Sequence, residues 1–303
     1  MVSGIFLKQS WESAGTYKIF VKKKMKQLLI PYLLWAIIAA FVSLPLILAN
    51  NMHKGIWLWE KTFVDSTSLW DFFNNFFGIL RDSPRQNATL WYVRALLILS
   101  TLAPVYNLFS CRRFSAPFYA IISIIFLFFT RQVPYPFLEI SGYSIGWYTL
   151  GMVVREGNLL EKKIPGVILA LCGMFWLIGS FFISCEHIGW LKISDFLFSM
   201  KNIINISGIV FFWGGCDYSS FIMDKLSQIT NQTFFLYCMH FPIQLYFVSL
   251  GRNISRVYSQ YSDIILFLTT IFCPFIVIPI LCFLSKCIKK LFPNVYNILS
   301  GGR

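Results

Sequence analysis

The sequence predicts an all-α polytopic membrane protein, because its composition suits lipid rather than water as the solvent. Hydrophobic residues make up 57% of the 303 residues and charged residues 13%, about half of the roughly 25% that is typical of soluble domains. The 32 Phe residues and a mean hydropathy of +0.65 indicate the same class. This composition excludes a water-soluble fold, and it also excludes intrinsic disorder, which needs low hydrophobicity.

Eight apolar runs predict about eight transmembrane helices. A spanning helix needs about 20 mostly apolar residues, and the third, fourth and sixth runs are shorter than that. Since no repeat or low-complexity linker divides the chain, we predict one integral membrane domain over residues 1–303. The runs are 28–49, 90–110, 114–130, 140–154, 165–185, 203–217, 232–250 and 264–285.

The distribution of positive charge predicts that both termini are cytoplasmic. If the basic cluster 22–26 is cytoplasmic and the eight helices alternate, most of the 26 Lys and Arg residues fall on that side, as the positive-inside rule requires. The same rule explains the net charge of +13 without a nucleic-acid partner. The long segment 50–89 then faces outward. Its aromatic-rich part, 69–80, is either an interfacial helix or a packed loop helix.

Arg94 is the first candidate site residue, because an arginine inside an apolar run is costly. It lies in the run LWYVRALLILSTLAPVY, and insertion scales put the cost of a centrally placed arginine at about 2.5–3.5 kcal/mol. One interpretation is an anion or substrate contact inside the helix bundle. The other is a side chain that snorkels to the outer interface, which the predicted helix boundary places about one turn away.

His240 is the second candidate site residue. It lies in FFLYCMHFPIQLYF, roughly 12 Å from the cytoplasmic end of its predicted helix at 1.5 Å per residue. Histidine is the most frequent general base, but a histidine bonded to a neighbouring carbonyl can also hold two helices together. Pro242 lacks a backbone N–H and should free a nearby backbone carbonyl, which favours a local kink.

The basic cluster 22–26 has three possible roles. It fixes the topology, or it binds anionic lipid head groups, or it binds the phosphates of a cytoplasmic nucleotide cofactor as point charges. Charge alone does not separate these roles.

Two other chemistries are disfavoured by the sequence. The eight Cys residues form no C-x-x-C pair and lie mostly inside apolar runs, where a free cysteine behaves as a small hydrophobe. We therefore predict no metal site and no disulfide framework. The 13 carboxylates lie almost entirely in loops, which argues against a proton-coupled transporter.

Five pieces of the sequence occur in a characteristic order along the chain. They are VKKKMKQLLIPYLLW (21–35), TLWYVRALLILSTLAPVY (89–106), WYTLGMVV (147–154), FFLYCMHFPI (234–243) and NILSGGR (297–303). Together they resemble the membrane-bound acyltransferase family 3, the bacterial O-acyltransferases that modify surface and secreted polysaccharides.

The resemblance implies a fold and a reaction. Members have about ten spanning helices with both termini in the cytoplasm, and they move an acyl group from cytoplasmic acyl-CoA to a sugar hydroxyl. The opening residues MVSGIFL are similar to the end of the family's second helix. We therefore expect the family's first helix, with a His regarded as essential for transfer, to lie upstream of Met1.

The resemblance also implies roles for individual residues. His240 matches the family's Y-x-x-H-x-P pattern and is our candidate catalytic residue. Trp91 matches the family's L-W-F-L pattern. We assign Trp91, its neighbour Tyr92, and Arg94 to substrate or cofactor binding.

The basic motif before the Pro-Tyr dipeptide departs from the family pattern. The family has Arg-x-x-Arg there, and this chain has Lys24 and Gln27, with Lys23 and Lys26 one residue away. Lysine is a poorer bidentate partner for phosphate than arginine. The three lysines nevertheless remain our candidates for the acyl-CoA contact.

These observations predict an enzyme of the cell (inner) membrane. It would transfer an acyl group, commonly acetyl in the family, from acyl-CoA (acetyl-CoA) to a sugar hydroxyl of a surface or exported glycan, without a metal. Its partners would be membrane lipid, acyl-CoA and a glycan or lipid-linked glycan acceptor. The alternative is an inactive family member, or a non-enzymatic protein that binds or transports glycolipid. The missing first helix and the lost Arg pair favour that alternative, and the retained core motifs favour the enzyme.

Overall fold

The computed structural model describes residues 11–48, 68–78, 87–110, 115–129, 142–187, 195–216, 218 and 232–302, and every regular element in these ranges is helical. The α-helices are α1 (Tyr17–Lys24), α2 (Ile30–Leu48), α3 (Leu69–Phe77), α4 (Trp91–Thr101), α5 (Ala103–Ser110), α6 (Ser115–Ile124), α7 (Gly142–Glu156), α8 (Gly166–His187), α9 (Asp195–Cys216), α10 (Thr233–Val257), α11 (Ser262–Leu291) and α12 (Pro293–Leu299). Two π-helical turns, Met25–Leu29 and Ile125–Phe129, and three 3-10 turns, Ala88–Leu90, Leu159–Glu161 and Ser259–Tyr261, lie between them.

Within the described residues, the predicted all-helical class is confirmed. Four helices are long and apolar enough to cross a membrane by length and composition. They are Tyr17–Pro45, Gly166–Ile183, Thr233–Val257 and Ser259–Leu291. The count of eight spanning helices and the cytoplasmic termini remain predictions.

Two of the predicted apolar runs correspond to helices with a different organisation. The run 203–217 belongs to α9, which already begins at Asp195. Polar residues interrupt the apolar pattern there, and one of them, Asn202, donates its side-chain amide to the carbonyl of Leu127. The run 90–110 is divided into α4 and α5, with Pro104 in the first turn of α5. Proline is tolerated there because the first N–H groups of a helix have no intrahelical partner.

α1, the π turn Met25–Leu29 and α2 follow one another without a break. Thr16 caps the start, because its hydroxyl accepts from the backbone N–H of Ile19 at 3.4 Å and so satisfies one of the first donors of the helix. The lysines of cluster 22–26 lie in α1 and the π turn. π turns are rare and occur frequently at functional positions.

α3 lies within the predicted outward-facing segment and has a cap at each end. The Ser68 hydroxyl accepts from the backbone N–H of Asp71 at 3.1 Å, and Gly78 ends the helix with a φ of 58°. The exposed fraction is 79% for Leu69 and 60% for Trp70. Phe77, at the other end of the helix, packs against the buried core of α2 and α10, so the interfacial interpretation and the packed loop helix both stay predictions.

The helices form two compact units. The α8–α9 unit contains α6, most of α7, α8 and α9, and the α2–α10 unit contains α1 to α4, the start of α5, and α10 to α12. Every candidate site residue lies in the α2–α10 unit. The assignment of the whole chain to one membrane domain stays a prediction.

Close helix packing holds the α8–α9 unit together. A Cβ at Gly173 would lie 2.7 Å from the Phe211 ring, and a Cβ at Gly208 would lie 2.5 Å from the Trp176 ring. Small residues at such crossings allow the two backbones to approach, which is the usual way in which helices pack in lipid.

The core of the α2–α10 unit joins the first described helices to the last. The Trp35 indole, 1% exposed, donates to the carbonyl of Leu299 at 3.0 Å, and the Phe235 ring stacks on Tyr296 at 5.8 Å. The buried members of this core are Leu28, Tyr32, Trp35, Ala36, Leu90, Val93, Phe235, Cys238, Tyr296 and Leu299.

Gly301→Ala should destabilise this core. Gly301 has a φ of +72°, and its added Cβ would lie 2.4 Å from the backbone oxygen of Gln27. The backbone strain alone is about 1–3 kcal/mol, and the overlap adds to it. Gly302→Ala is the matched control, because its φ is +70° but the nearest atom lies 4.0 Å away. We expect G301A to melt at a lower temperature than G302A in detergent, and equal melting temperatures would contradict this packing.

Candidate active site

A proline inside α10 changes the hydrogen bonding of one backbone carbonyl. Pro242 has no N–H, so the Cys238 carbonyl, four residues earlier, lacks the usual helical donor. The Asn87 side-chain amide donates to that oxygen at 2.7 Å, and 0% of Asn87 is exposed. The Cys238 carbonyl is therefore the one that Pro242 frees, and its donor comes from the residues just before α4. The local kink at Pro242 stays a prediction.

Three further hydrogen bonds extend from Asn87 to His240. The Thr89 hydroxyl donates to Asn87 Oδ1 at 2.6 Å, and the Tyr237 hydroxyl donates to the backbone carbonyl of Thr89. His240 Nδ1 lies 2.7 Å from the backbone oxygen of Tyr237. We call Asn87, Thr89, Tyr237 and His240 the polar cluster.

The contact of His240 fixes which ring nitrogen carries the hydrogen. A carbonyl oxygen only accepts hydrogen bonds, so Nδ1 must be the donor in the contact with Tyr237. Neutral imidazole has one N–H, and Nε2 of His240 therefore bears the lone pair that a general base needs. This bond lies within α10. The alternative interpretation of His240, a histidine that holds two helices together, would require a bond to a different helix.

Arg94 is buried on α4. Only 6% of the residue is exposed, whereas a snorkelling arginine places its guanidinium at the surface. The guanidinium lies close enough to the Tyr32 phenol to interact with it electrostatically. The Tyr32 hydroxyl in turn donates to the Phe77 carbonyl at the end of α3. Arg94 therefore places a positive charge inside the α2–α10 unit.

The location of Arg94 along the bundle differs from the sequence prediction. α4 packs against α1 and the π turn Met25–Leu29, and the Tyr17 hydroxyl donates to the Thr101 carbonyl at 3.1 Å. α4 therefore runs back along the basic end of the first helix. The sequence prediction placed the start of α4 at the outer membrane surface, but the residues just before α4 are packed in the core, since Leu90 is 0% exposed. Arg94 therefore lies beside the segment that follows the lysine cluster, and not near the end of α2 that is farther from the lysines.

The other candidate site residues are partly buried or exposed. Trp91 is 39% exposed, and the Tyr92 ring lies 5.6 Å from the Tyr237 ring, which connects Tyr92 to the polar cluster. Lys24 is half-buried, with its amine 5.4 Å from the centre of the Phe20 ring. Lys23 and Lys26 are exposed.

Sequence reasoning missed the residues that support His240 and Arg94. Tyr237 stands in the Y-x-x-H-x-P pattern, but only its histidine was singled out. Asn87 and Thr89 directly precede the LWYV run and looked like loop residues. Counting four residues back from Pro242 identifies the carbonyl that needs a donor, but it does not say that Asn87 supplies it.

A comparison with protein families gives one match. A family model described as an acyltransferase domain matches residues 1–284, a range that includes every candidate site residue. No curated protein and no solved structure matches the chain.

Proposed function

This chain belongs to the acyltransferase family 3, and we propose that it transfers an acyl group, commonly acetyl in such enzymes, from acyl-CoA to a sugar hydroxyl of a surface or exported glycan. The observation that carries the proposal is the hydrogen bond that sets the tautomer of His240. Its Nδ1 is held by a carbonyl at 2.7 Å, which leaves Nε2 as the proton acceptor.

The chemistry follows from that tautomer. The acceptor hydroxyl gives its proton to His240 Nε2 while the hydroxyl oxygen attacks the thioester carbonyl of the acyl donor. A C–O bond forms, the C–S bond breaks, and coenzyme A leaves as the thiol after taking up the proton. The histidine returns to its neutral form, so no other reactant is consumed.

Arg94 and the lysines of cluster 22–26 would bind or stabilise negatively charged groups in this reaction. Charge develops on the thioester oxygen in the transition state, and a fixed cation in a dry site stabilises it more strongly than water does. Arg94 offers such a cation, since it is 6% exposed. Lys23, Lys24 and Lys26 would contact the phosphates of coenzyme A from the neighbouring segment.

The placement in the membrane is part of the same proposal. Four helices have the length and hydropathy of membrane spans, and a multi-pass protein of the cell (inner) membrane would reach acyl-CoA on one side and a lipid-linked glycan on the other. Membrane lipid, acyl-CoA and the glycan acceptor are then its partners.

A transfer assay in membranes tests the proposal. Membranes that contain the protein should move label from radioactive acetyl-CoA to a glycan fraction, and membranes without it should not. Correct insertion is checked separately by protease accessibility. If the inserted protein transfers no label to any glycan fraction, the enzymatic proposal is wrong. Binding of glycolipid without transfer would instead support the non-enzymatic alternative.

A further inference from the structure

We propose that Asn87 is a positioning residue for His240: it binds the Thr89 hydroxyl at short distance, limits that hydroxyl to a long contact with the Tyr237 carbonyl, and so reserves this carbonyl for His240 Nδ1–H. The inference deepens the proposed function and rests on it for its kinetic part. Its structural part, the tautomer of His240, is measurable without any transfer activity.

Competition for one oxygen atom is the basis of the proposal. The Tyr237 carbonyl has two lone pairs, and in a helix the N–H four residues on takes one of them. His240 Nδ1 lies 2.7 Å from this oxygen, and the Thr89 hydroxyl makes only a long hydrogen-bond contact with it, at 3.5 Å. To bind this oxygen at an ordinary distance, the hydroxyl would have to displace one of the other two donors.

Asn87 decides this competition. Its Oδ1 accepts the Thr89 hydroxyl at 2.6 Å, much closer than the 3.5 Å between that hydroxyl and the Tyr237 carbonyl. The orientation of the amide is fixed, because its Nδ2 donates to the Cys238 carbonyl. Pro242 is the reason that this carbonyl needs a donor, so the proline acts on His240 through Asn87 and Thr89.

Removing Asn87 should therefore change the tautomer of His240. In Asn87→Ala, the Thr89 hydroxyl turns to the Tyr237 carbonyl and competes with Nδ1–H. The Nδ1–H form should lose about fivefold in population relative to the Nε2–H form, which is what one neutral hydrogen bond is worth. Adding Thr89→Val removes the competitor and should restore the wild-type tautomer. A merely structural role of Asn87 predicts no such rescue.

The tautomer is read by nitrogen NMR of the whole protein in nanodiscs. The chain has three His residues, so a His53→Gln, His187→Gln background leaves His240 as the only labelled imidazole. We expect the Nδ1–H form in this background, a mixture in N87A, and the Nδ1–H form again in N87A/T89V. Thr101→Val, which removes an ordinary hydroxyl bond on α4, is the matched control and should leave the signals unchanged.

Kinetics provide the second readout. Because only the tautomer that bears its lone pair on Nε2 accepts the proton there, N87A should lower kcat in proportion to the fraction of the Nδ1–H form that is lost, by at most about fivefold, and leave the KM for acetyl-CoA unchanged. N87A/T89V should recover the wild-type kcat. If the wild type shows no transfer at all, the proposed function fails, but the NMR result still decides the role of Asn87.

Three results would overturn the inference. They are an Nε2–H form in the wild type, an unchanged tautomer in N87A, and a double variant without rescue. If N87A does not fold, Asn87→Asp replaces it, because its carboxylate keeps an acceptor for Thr89 while losing the donor to Cys238. N87D should retain the Nδ1–H form, and a shift to Nε2–H would overturn the inference in that case.

Discussion

Replacing His240 with alanine is expected to lower acyl transfer by about 10²–10⁴-fold, the usual contribution of a positioned general base. The loss should appear in kcat, because the histidine acts on the acceptor hydroxyl during the chemical step. His240→Gln should lose as much, since an amide has the polarity of imidazole but cannot take up a proton at neutral pH. The measurement is labelled acetyl transfer by equal amounts of inserted protein.

The matched control for His240 is another histidine of the same chain. His187 ends α8 in the α8–α9 unit, and His187→Ala should transfer acetyl at the wild-type rate. Chromatography in detergent shows whether H240A is still folded. Normal transfer by folded H240A would remove His240 from the reaction and leave it a structural role in α10.

Arg94→Leu is expected to lower transfer by about 10- to 100-fold, the range for losing a hydrogen bond to a charged group. The physical reason is that the 6% exposed guanidinium is the cation proposed to stabilise the developing negative charge. Arg94→Lys keeps the charge but loses the planar fork of donors, so its rate should lie between those of wild type and R94L. Rates are measured with labelled acetyl-CoA at saturating acceptor.

An exposed arginine serves as the control for R94L. Arg256 lies in the last turn of α10 and is exposed, so Arg256→Leu should have little effect. If R94L and R256L both transfer at the wild-type rate, the positive charge of Arg94 has no part in the chemistry. Equal loss in both variants would point to a general effect of removing positive charge from the membrane protein.

Local features were predictable because they depend on neighbours along the chain. The apolar runs correctly predicted helices, since a helix in lipid satisfies its own backbone. Pro242 correctly predicted a freed backbone carbonyl, because its missing N–H acts on a fixed residue four positions earlier. The family assignment also followed from short motifs, and the match over residues 1–284 confirms it.

Features that depend on which helices meet were not predictable in the same way. Arg94 was expected near the outer interface because alternation of helices was counted along the sequence. The structure instead begins α4 in the core, beside the π turn Met25–Leu29. Nothing in the sequence around Asn87 indicates that its amide reaches α10, since that contact joins residues 151 positions apart.

The glycan itself provides the most direct test of the proposed activity. The gene is deleted, the exported glycans are purified, and their O-acyl content is measured by mass spectrometry and proton NMR. We expect one ester-linked acyl substituent to disappear on deletion, to return with the wild-type gene, and to stay absent with the His240→Ala gene. Glycans whose O-acyl content is the same in all four strains would contradict the assignment of this chain as an O-acyltransferase.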